Sequence, residues 1–506
     1  MNPVESPMSN PLLKTALSVI FAALIFVSGA GADEIKLPDM GSPADAILSQ
    51  NQEAQIGRSI MRDIRASGQV VEDPLVNEYI NEIGNRVAAQ TSDGDVNFRF
   101  FVIDDSRINA FALPGGYIGV HTGLIEATRS EDELAGVLAH EVAHVTQRHL
   151  ARAIHASSRQ SILSTAVMLG AILAGVAGGG SDVMQAGMAV AQGTAAQAQI
   201  NFTRANEHEA DRVGIAALAG AGFDPYGMAS FFDVMSRQNS RAPDERAPAF
   251  LMTHPVTASR VAEARDRARN YGHIRSEDSV SYSITRVRLI VERFDTPQEA
   301  VNYFEKRPYQ NQNEIERYGR LLAYMRAGDN YKALDIIENL MDRNPKVIAY
   351  HIALGDLQVA LKREGQALRT FEDAVALFPR NVPLVIAYGE RLLDLGQAEK
   401  AHDILLDLLN NVPPTPNQIR LIARAASEAG ESAESLYYLS EYRLMIGDLI
   451  GGITYLQQAL RIPQLQEIQR IRFESRIDFI REFMSEEQLR RMQRGKTSVQ
   501  SARNER

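Results

Sequence analysis

The most constraining feature of this sequence is a 34-residue period in its C-terminal half. A small residue, two large apolar residues and a proline each recur at this spacing, in the sets Ala333, Ala367 and Ala401; Ile337, Phe371 and Leu405; Leu340, Ala374 and Leu408; and Pro345, Pro379 and Pro413. Such a period is typical of two-helix units, each of which cannot bury its apolar face alone and stacks on the next. The period therefore predicts a helical solenoid rather than one globular core.

The order of small, large and proline positions resembles tetratricopeptide repeats, so we expect an all-α tetratricopeptide-repeat domain over residues 311–464. Beyond Pro413 the phase slips, and Gly452, Leu456 and Ala459 repeat the pattern half a period late. This slip predicts one extra helix rather than a broken solenoid. We expect residues 276–310 to form a helical connector and residues 465–506 a C-terminal helix with a frayed tail.

The first 32 residues have the pattern of a signal peptide. Lys14 precedes an uncharged apolar run over residues 16–27, and Ala30 and Ala32 offer a small-residue cleavage site before Asp33. The alternative is an uncleaved membrane anchor, but the run is shorter than the ~20 residues that a span needs. We therefore expect export and cleavage near Ala32.

The composition excludes several classes of site and partner. The chain has no cysteine, which excludes thiol nucleophiles, disulfides, a lipoprotein anchor and cysteine-ligated zinc, so a metal would need histidine and carboxylate ligands. An exported protein without disulfides fits the bacterial periplasm. The net charge of −10 disfavours a nucleic-acid partner.

The N-terminal half predicts a mostly helical α+β domain with a small sheet, over residues 33–275. Apolar residues recur at helical spacing between Pro43 and Gln90 and indicate two helices. Residues 96–103, 109–113 and 117–120 are rich in β-branched and aromatic residues and indicate strands, the last two separated by Pro114, Gly115 and Gly116.

An H-E-x-x-H motif occupies residues 140–144, within a helix expected over residues 131–153. Because positions i and i+4 share one helix face, His140 and His144 can bind one metal ion. Glu141 is then directed toward the attacking water as a general base. No G-x-S-x-G turn occurs in the sequence, so a serine hydrolase has no support.

The third metal ligand has two candidate sources. The metzincin pattern fails, because Leu150 and Gln147 occupy the positions of its third histidine and its glycine, and His149 is out of register. The alternative is a glutamate on a later helix, where Glu207 would bind the metal and Asp211, one turn on, would orient a ligating histidine. Glu209 is a weaker candidate ligand, and with His208 it is expected at the surface.

Together, the motif at residues 140–144, the Glu207-x-x-Ala210-Asp211 pattern and residues 109–116 resemble the zinc metallopeptidase family of the HtpX heat-shock proteases and CAAX prenyl endopeptidases. The resemblance covers roughly residues 45–270. It implies one zinc ion per chain on His140, His144 and Glu207, with Glu141 as base and acid. It also implies an edge strand that pairs with extended substrate, formed by Asn109, Ala110, Phe111 and Ala112. The alternative for this strand is a plain buried hairpin.

A further segment of the resemblance comprises Thr253, His254, Pro255 and Arg260. His254 would fill the fourth position on the metal at rest, which would inhibit, or would stabilise the oxyanion once substrate displaces it. The alternatives are an ordinary loop histidine and, for Arg260, a surface charge on a helix.

Residues 161–181 carry no charge and many glycines and alanines. We interpret this segment as a helical cover packed on the domain. A membrane-dipping helix, and with it peripheral membrane contact, is the alternative.

The resulting hypothesis is a periplasmic zinc endopeptidase that acts in quality control and assembly of outer-membrane proteins. Its substrates would be unfolded or stalled envelope proteins, and its repeats would dock substrate or assembly machinery. The resemblance implies a partnership with the outer-membrane β-barrel assembly machinery. The competing hypothesis is a chaperone or scaffold whose peptidase site stays latent.

Overall fold

The structure is a computed structural model that describes residues 48–91, 96–158, 194–241, 248–274, 277–409 and 414–484. The expected signal peptide, the segment at residues 161–181, Pro413, the expected boundary at residues 275–276 and the tail from Ser485 lie outside these ranges. Among the described helices, none is both long and apolar enough to cross a membrane.

Two helices open the fold, α1 (Gln50–Ala66) and α2 (Pro74–Ala88). Ser49 and Gln52 form a capping box at the start of α1, and the Asp73 side chain accepts hydrogen bonds from two backbone N–H groups at the start of α2. These caps satisfy N–H groups that a helix start leaves unpaired.

A three-stranded sheet follows, formed by β1 (Arg99–Ile103), β2 (Ala110–Leu113) and β3 (Tyr117–His121). The strand order is β1-β3-β2, with β1 parallel and β2 antiparallel to β3. The turn between β2 and β3 contains Gly115 and Gly116 at φ of 77° and 84°, a conformation that favours glycine. The small sheet predicted from the sequence is confirmed, with β2 at its edge.

The helices that follow the sheet are α3 (Thr122–Ala127), α4 (Glu131–Thr146), α5 (His149–Ser158), α6 (Thr194–Gly220), α7 (Tyr226–Arg241), α8 (Ala249–Thr253) and α9 (Ala258–Tyr271). Helix α4 is buried over most of its length and packs against α2, α6 and α7. Gly136 permits the close approach of α7, since a Cβ there would lie 2.8 Å from the Met228 backbone nitrogen.

The single long helix expected over residues 131–153 is wrong. Helix α4 ends at Thr146, and Arg148 adopts φ of 50°, which reverses the chain before α5 begins at His149. The Arg148 side chain donates a hydrogen bond to the Leu48 carbonyl at 2.7 Å and contacts Glu53 at 3.1 Å. These contacts with the chain preceding and within α1 hold the reversal in place.

The C-terminal half is the helical solenoid that the 34-residue period predicted. After α10 (Val280–Glu292) and α11 (Pro297–Glu305), four helix pairs follow: α12 (Glu314–Ala327) with α13 (Asn330–Arg343), α14 (Ile348–Ala360) with α15 (Glu364–Leu377), α16 (Val382–Asp394) with α17 (Ala398–Leu409), and α18 (Pro416–Glu428) with α19 (Ser432–Met445). The repeated alanines Ala333, Ala367 and Ala401 are fully buried between helices. Helices α20 (Leu449–Ala459) and α21 (Glu467–Glu482) complete the solenoid.

The peptidase half and the solenoid contact each other along α2. Leu75 packs against two neighbouring apolar clusters of the solenoid. Asp73 pairs with Arg288 of α10, and Glu78 accepts a hydrogen bond from Asn381, which caps α16, at 3.0 Å. The solenoid therefore lies directly against the helix that packs on α4.

Candidate active site

His140 and His144 lie on one face of α4, as the motif predicts. Their ring centroids are 4.6 Å apart, and their Nε2 atoms lie 3.0 Å apart. His140 and Glu141 are each only 1% exposed. Helix α4 thus presents two imidazoles to one buried point.

Four donor groups converge at this point: His140, His144, Glu207 and His254. His140 Nε2 lies 3.3 Å from Glu207 Oε2, and His144 Nε2 lies 3.4 Å from Glu207 Oε1. His254 Nδ1 lies 3.2 Å from His140 Nε2 and 3.1 Å from Glu207 Oε1. Zinc bonds of roughly 2.0–2.1 Å in a tetrahedron place ligand atoms about 3.3–3.4 Å apart. The donor types and their separations therefore fit a four-coordinate metal ion.

Glu207 and Asp211 come from one face of α6. Asp211 Oδ1 lies 3.1 Å from His140 Nδ1. This is the ring nitrogen that faces away from His144 and Glu207. Arg260, from α9, donates two hydrogen bonds to Asp211 at 2.7 and 2.8 Å and lies 2.8 Å from Glu207. Arg260 is 2% exposed, so the surface-charge alternative is wrong. Its guanidinium holds both carboxylates in position.

The electrostatics of the site favour a cation at the point of convergence. Burial would lower the pKa of His140, but Asp211 and Glu207 outweigh it and raise the pKa to about 9. Burial would raise the pKa of Glu207, yet the surrounding imidazoles lower it well below its usual range. Burial lowers the pKa of His144 to about 3, which keeps this ring neutral and able to bind a metal.

His254 lies between the other three donor residues and Glu141. It follows α8 directly, and Phe250 of that helix packs against its ring at a centroid distance of 4.9 Å. Its Nδ1 faces His140 and Glu207, and its Nε2 lies 3.4 Å from Glu141 Oε1. Within the described residues that oxygen accepts no hydrogen bond. The His254 imidazole thus lies beside the Glu141 carboxylate.

The edge strand β2 is linked to the same helix α8. Asn109 O accepts a hydrogen bond from His121 N of β3, and such bonds alternate along an antiparallel pair. The backbone groups of Ile108, Ala110 and Ala112 therefore point away from β3. Among the described residues β2 pairs with no second strand, and the Ile108 carbonyl accepts a hydrogen bond from Phe250 N.

His149, which was not predicted as part of the site, and Glu209, which was the weaker candidate ligand, both lie near His144. His149 is 5% exposed, and its Nδ1 lies 2.9 Å from Nδ1 of His144. Its Nε2 lies 3.2 Å from Glu209, which was expected at the surface but also binds Arg152 at 2.7 Å. The chain reversal at Arg148 creates these contacts, and no glycine or proline in the sequence marks it.

Comparison with known proteins gives a family match over the region that contains the site. Residues 74–268 match the sequence model of peptidase family M48. That range contains the histidines and glutamate of the motif, Glu207, Asp211, His254, Arg260 and the β2 edge strand. The solved structure of a thermophilic tetratricopeptide-repeat protein from Thermus thermophilus is 22% identical, with a TM-score of 0.23, and aligns with 38% of this chain and 95% of its own.

Relatives match along nearly the whole chain. A putative beta-barrel assembly-enhancing protease of Vibrio cholerae is 35% identical over 472 residues, covering 92% of this chain and 96% of the relative. The beta-barrel assembly-enhancing protease of Escherichia coli K12 is 32% identical over 488 residues, covering 94% and 98%. With this similarity and the buried donor group of α4 and α6, the chain belongs to peptidase family M48 and is a metallopeptidase.

Proposed function

We propose that this protein is a periplasmic zinc endopeptidase that acts in quality control and assembly of outer-membrane proteins. The observation that carries the proposal is the convergence of His140, His144 and Glu207 beside Glu141, of which only His144 is partly exposed. Two imidazoles and a carboxylate are a common catalytic zinc set, and the two nitrogen ligands support zinc over metals that prefer all-oxygen sites.

In this proposal the three ligands bind one zinc ion per chain. The ion would supply Lewis acidity, which polarises a scissile carbonyl and makes water acidic enough to react near neutral pH. Glu141, next to His140 on α4, would take the proton from the attacking water and return it to the leaving amine. Asp211 would orient His140, and Arg260 would hold Asp211 and Glu207, so both act on the ligands rather than on substrate.

His254 would restrain the site at rest. Its Nδ1 lies among the proposed metal ligands and its Nε2 faces Glu141, so the ring would have to move before a substrate could reach both the metal and Glu141. After that movement the ring could stabilise the oxyanion. This arrangement also favours a second candidate function, a chaperone or scaffold for outer-membrane proteins whose peptidase site stays latent.

Substrate would pair with the edge of β2 that faces away from β3. The outward backbone groups of Ala110 and Ala112, next to Asn109 and Phe111, offer main-chain hydrogen bonds to an extended peptide. Such pairing depends little on substrate side chains, which suits unfolded or stalled envelope proteins.

The names of the relatives support a role in β-barrel assembly for this chain. We infer that the solenoid docks substrate or the outer-membrane β-barrel assembly machinery, since stacked helix pairs form extended binding surfaces. The expected signal peptide and the absence of cysteine support the periplasm.

The test is complementation of a strain that lacks this gene. Glu141→Gln keeps the size of the side chain and removes the base, so proteolysis predicts that its outer-membrane defect equals that of the deletion. His208→Gln, at a half-exposed ion pair with Glu263, is the control and should complement fully. Full rescue by Glu141→Gln would instead identify scaffolding as the main function.

A further inference from the structure

The second histidine of the motif, His144, is held on its outer nitrogen by groups that the proposed mechanism does not use. Its Nε2 faces the donor group, and its Nδ1 lies 2.9 Å from His149 Nδ1. We propose that His149 and Glu209 form a hydrogen-bond relay that orients His144 toward the metal and fixes its tautomer. Both are positioning residues. The inference rests on the proposed metal site.

The chain reversal at Arg148 makes the relay geometrically available. In a continuous helix, residues five apart point roughly 140° away from each other around the axis. Because α4 ends at Thr146 and Arg148 has φ of 50°, the His149 ring instead turns back and meets His144 edge to face, at 79° and a centroid distance of 4.8 Å. The reversal therefore brings a buried imidazole behind a metal ligand.

The tautomers of both rings follow from the direction of the contacts. A metal ion on Nε2 of His144 requires that the ring hydrogen sit on Nδ1. That N–H must donate to Nδ1 of His149, which leaves the hydrogen of His149 on its Nε2. This atom lies 3.2 Å from Glu209 Oε2, which accepts it. Every hydrogen position along Glu209, His149 and His144 is thereby determined.

The two motif histidines are supported in parallel ways. His140 contacts Asp211 directly, and Arg260 holds that carboxylate. His144 reaches Glu209 through His149, and Arg152 holds Glu209 at 2.7 Å. Each imidazole is thus supported by a carboxylate and an arginine, but the support of His144 is one residue longer and ends at a carboxylate that is 27% exposed.

Partners that orient a ligating histidine typically change metal affinity 10- to 100-fold when they are removed. We expect a loss of roughly this size for His149→Phe, which keeps an aromatic ring and removes both nitrogens. His149→Asn places a carbonyl near the position of Nδ1 and should stay close to the wild type. Glu209→Ala should cause a smaller loss, because His149 still accepts from His144.

The experiment measures affinity for Zn²⁺ alone, by competition with a chelating dye, in the full chain. His208→Gln is the matched control, since His208 neighbours Glu209 on α6 but contacts Glu263. The thermal midpoint of the metal-free protein is recorded for every variant. The double variant H149F/E209A tests whether His149 and Glu209 act together, because two members of one relay give non-additive losses of Zn²⁺ affinity.

The proposal expects a metal-free thermal midpoint close to the wild type for H149F, with at least tenfold weaker Zn²⁺ binding, and no further loss in the double variant. An affinity within twofold of the wild type, or an equal loss in H208Q, would overturn it. If H149F does not fold, the Zn²⁺ affinities of H149N and E209A test the relay. A full and equal loss of Zn²⁺ affinity in both variants would contradict it. Zn²⁺ binding that survives His144→Ala would instead refute the proposed metal site itself.

Discussion

The backbone N–H of Phe250 donates a hydrogen bond to the carbonyl oxygen of Ile108 at 3.0 Å. Phe250 belongs to α8, and His254 follows the last residue of that helix. Ile108 precedes the edge strand β2, and its carbonyl group points away from β3. A substrate strand that extended along this edge would compete for the same carbonyl. The bond therefore joins the restraint on the metal site to the surface that we propose for substrate.

Removal of the His254 ring should activate the protein. His254→Ala opens the fourth metal position and frees Glu141, so casein hydrolysis should rise. A resting open fraction of roughly 10% would make this rise about tenfold. The matched control is His208→Ala, outside the donor group, which should leave the rate unchanged. A fall in the rate of His254→Ala would instead assign the ring to the chemical step.

The β2 edge can be tested with a single backbone N–H. Ala112→Pro removes a donor that points away from β3 and leaves the β2–β3 ladder intact, because edge strands tolerate proline. One lost hydrogen bond of about 0.5–1.5 kcal/mol predicts roughly a 2- to 10-fold lower kcat/KM on unfolded casein. Ala112→Val keeps the N–H and should retain activity. Equal kcat/KM for the proline variant would contradict pairing at this edge.

Arg260 should matter more to stability when metal is absent. Arg260→Met leaves the buried carboxylates of Asp211 and Glu207 without their guanidinium, which typically costs about 3–5 kcal/mol. A bound cation compensates part of that charge. The thermal midpoint of the variant should therefore fall more in a chelator than in Zn²⁺. The same fall in both conditions would show that Arg260 does not act through the metal site.

A buried histidine outside the site predicts a loss of stability in acid. His121, at the end of β3, is fully buried, and burial lowers its pKa to about 4 despite the nearby Asp105 carboxylate. Because the unfolded chain binds this proton near pH 6.5, stability is complete above that pH and falls as the pH drops from about 6.5 toward 4. The fall amounts to about 3 kcal/mol.

The measurement for His121 is the thermal midpoint between pH 7.5 and 4.5. His121→Phe removes the titrating group and keeps an aromatic ring at this fully buried position. The midpoint of the variant should depend less on pH than that of the wild type. Parallel pH profiles would contradict the account.

Those parts of the protein that depend on local periodicity could be predicted from the sequence. The 34-residue period predicted the helix pairs because each unit repeats the same buried positions, such as Ala333 and Ala367. The spacing of His140 and His144 predicted a shared helix face for the same reason. Both are properties of neighbouring positions on one helix.

The support around the ligands could not be predicted in this way. A residue in the left-handed conformation is usually glycine or asparagine, which can be recognised in the sequence. The reversal before His149 instead uses Arg148, whose contacts with Leu48 and Glu53 are distant in sequence. The burial of Arg260 likewise depends on α9 packing against α6. Such contacts are set by tertiary structure and leave no periodic pattern.

The most direct test of the central claim is the metal content of the purified protein together with its casein hydrolysis. We predict one zinc per chain in the wild type, loss of zinc and activity in Glu207→Ala, and zinc without activity in Glu141→Gln. Zinc retained in full by Glu207→Ala, or casein hydrolysis by Glu141→Gln at the wild-type rate, would contradict the site that we propose.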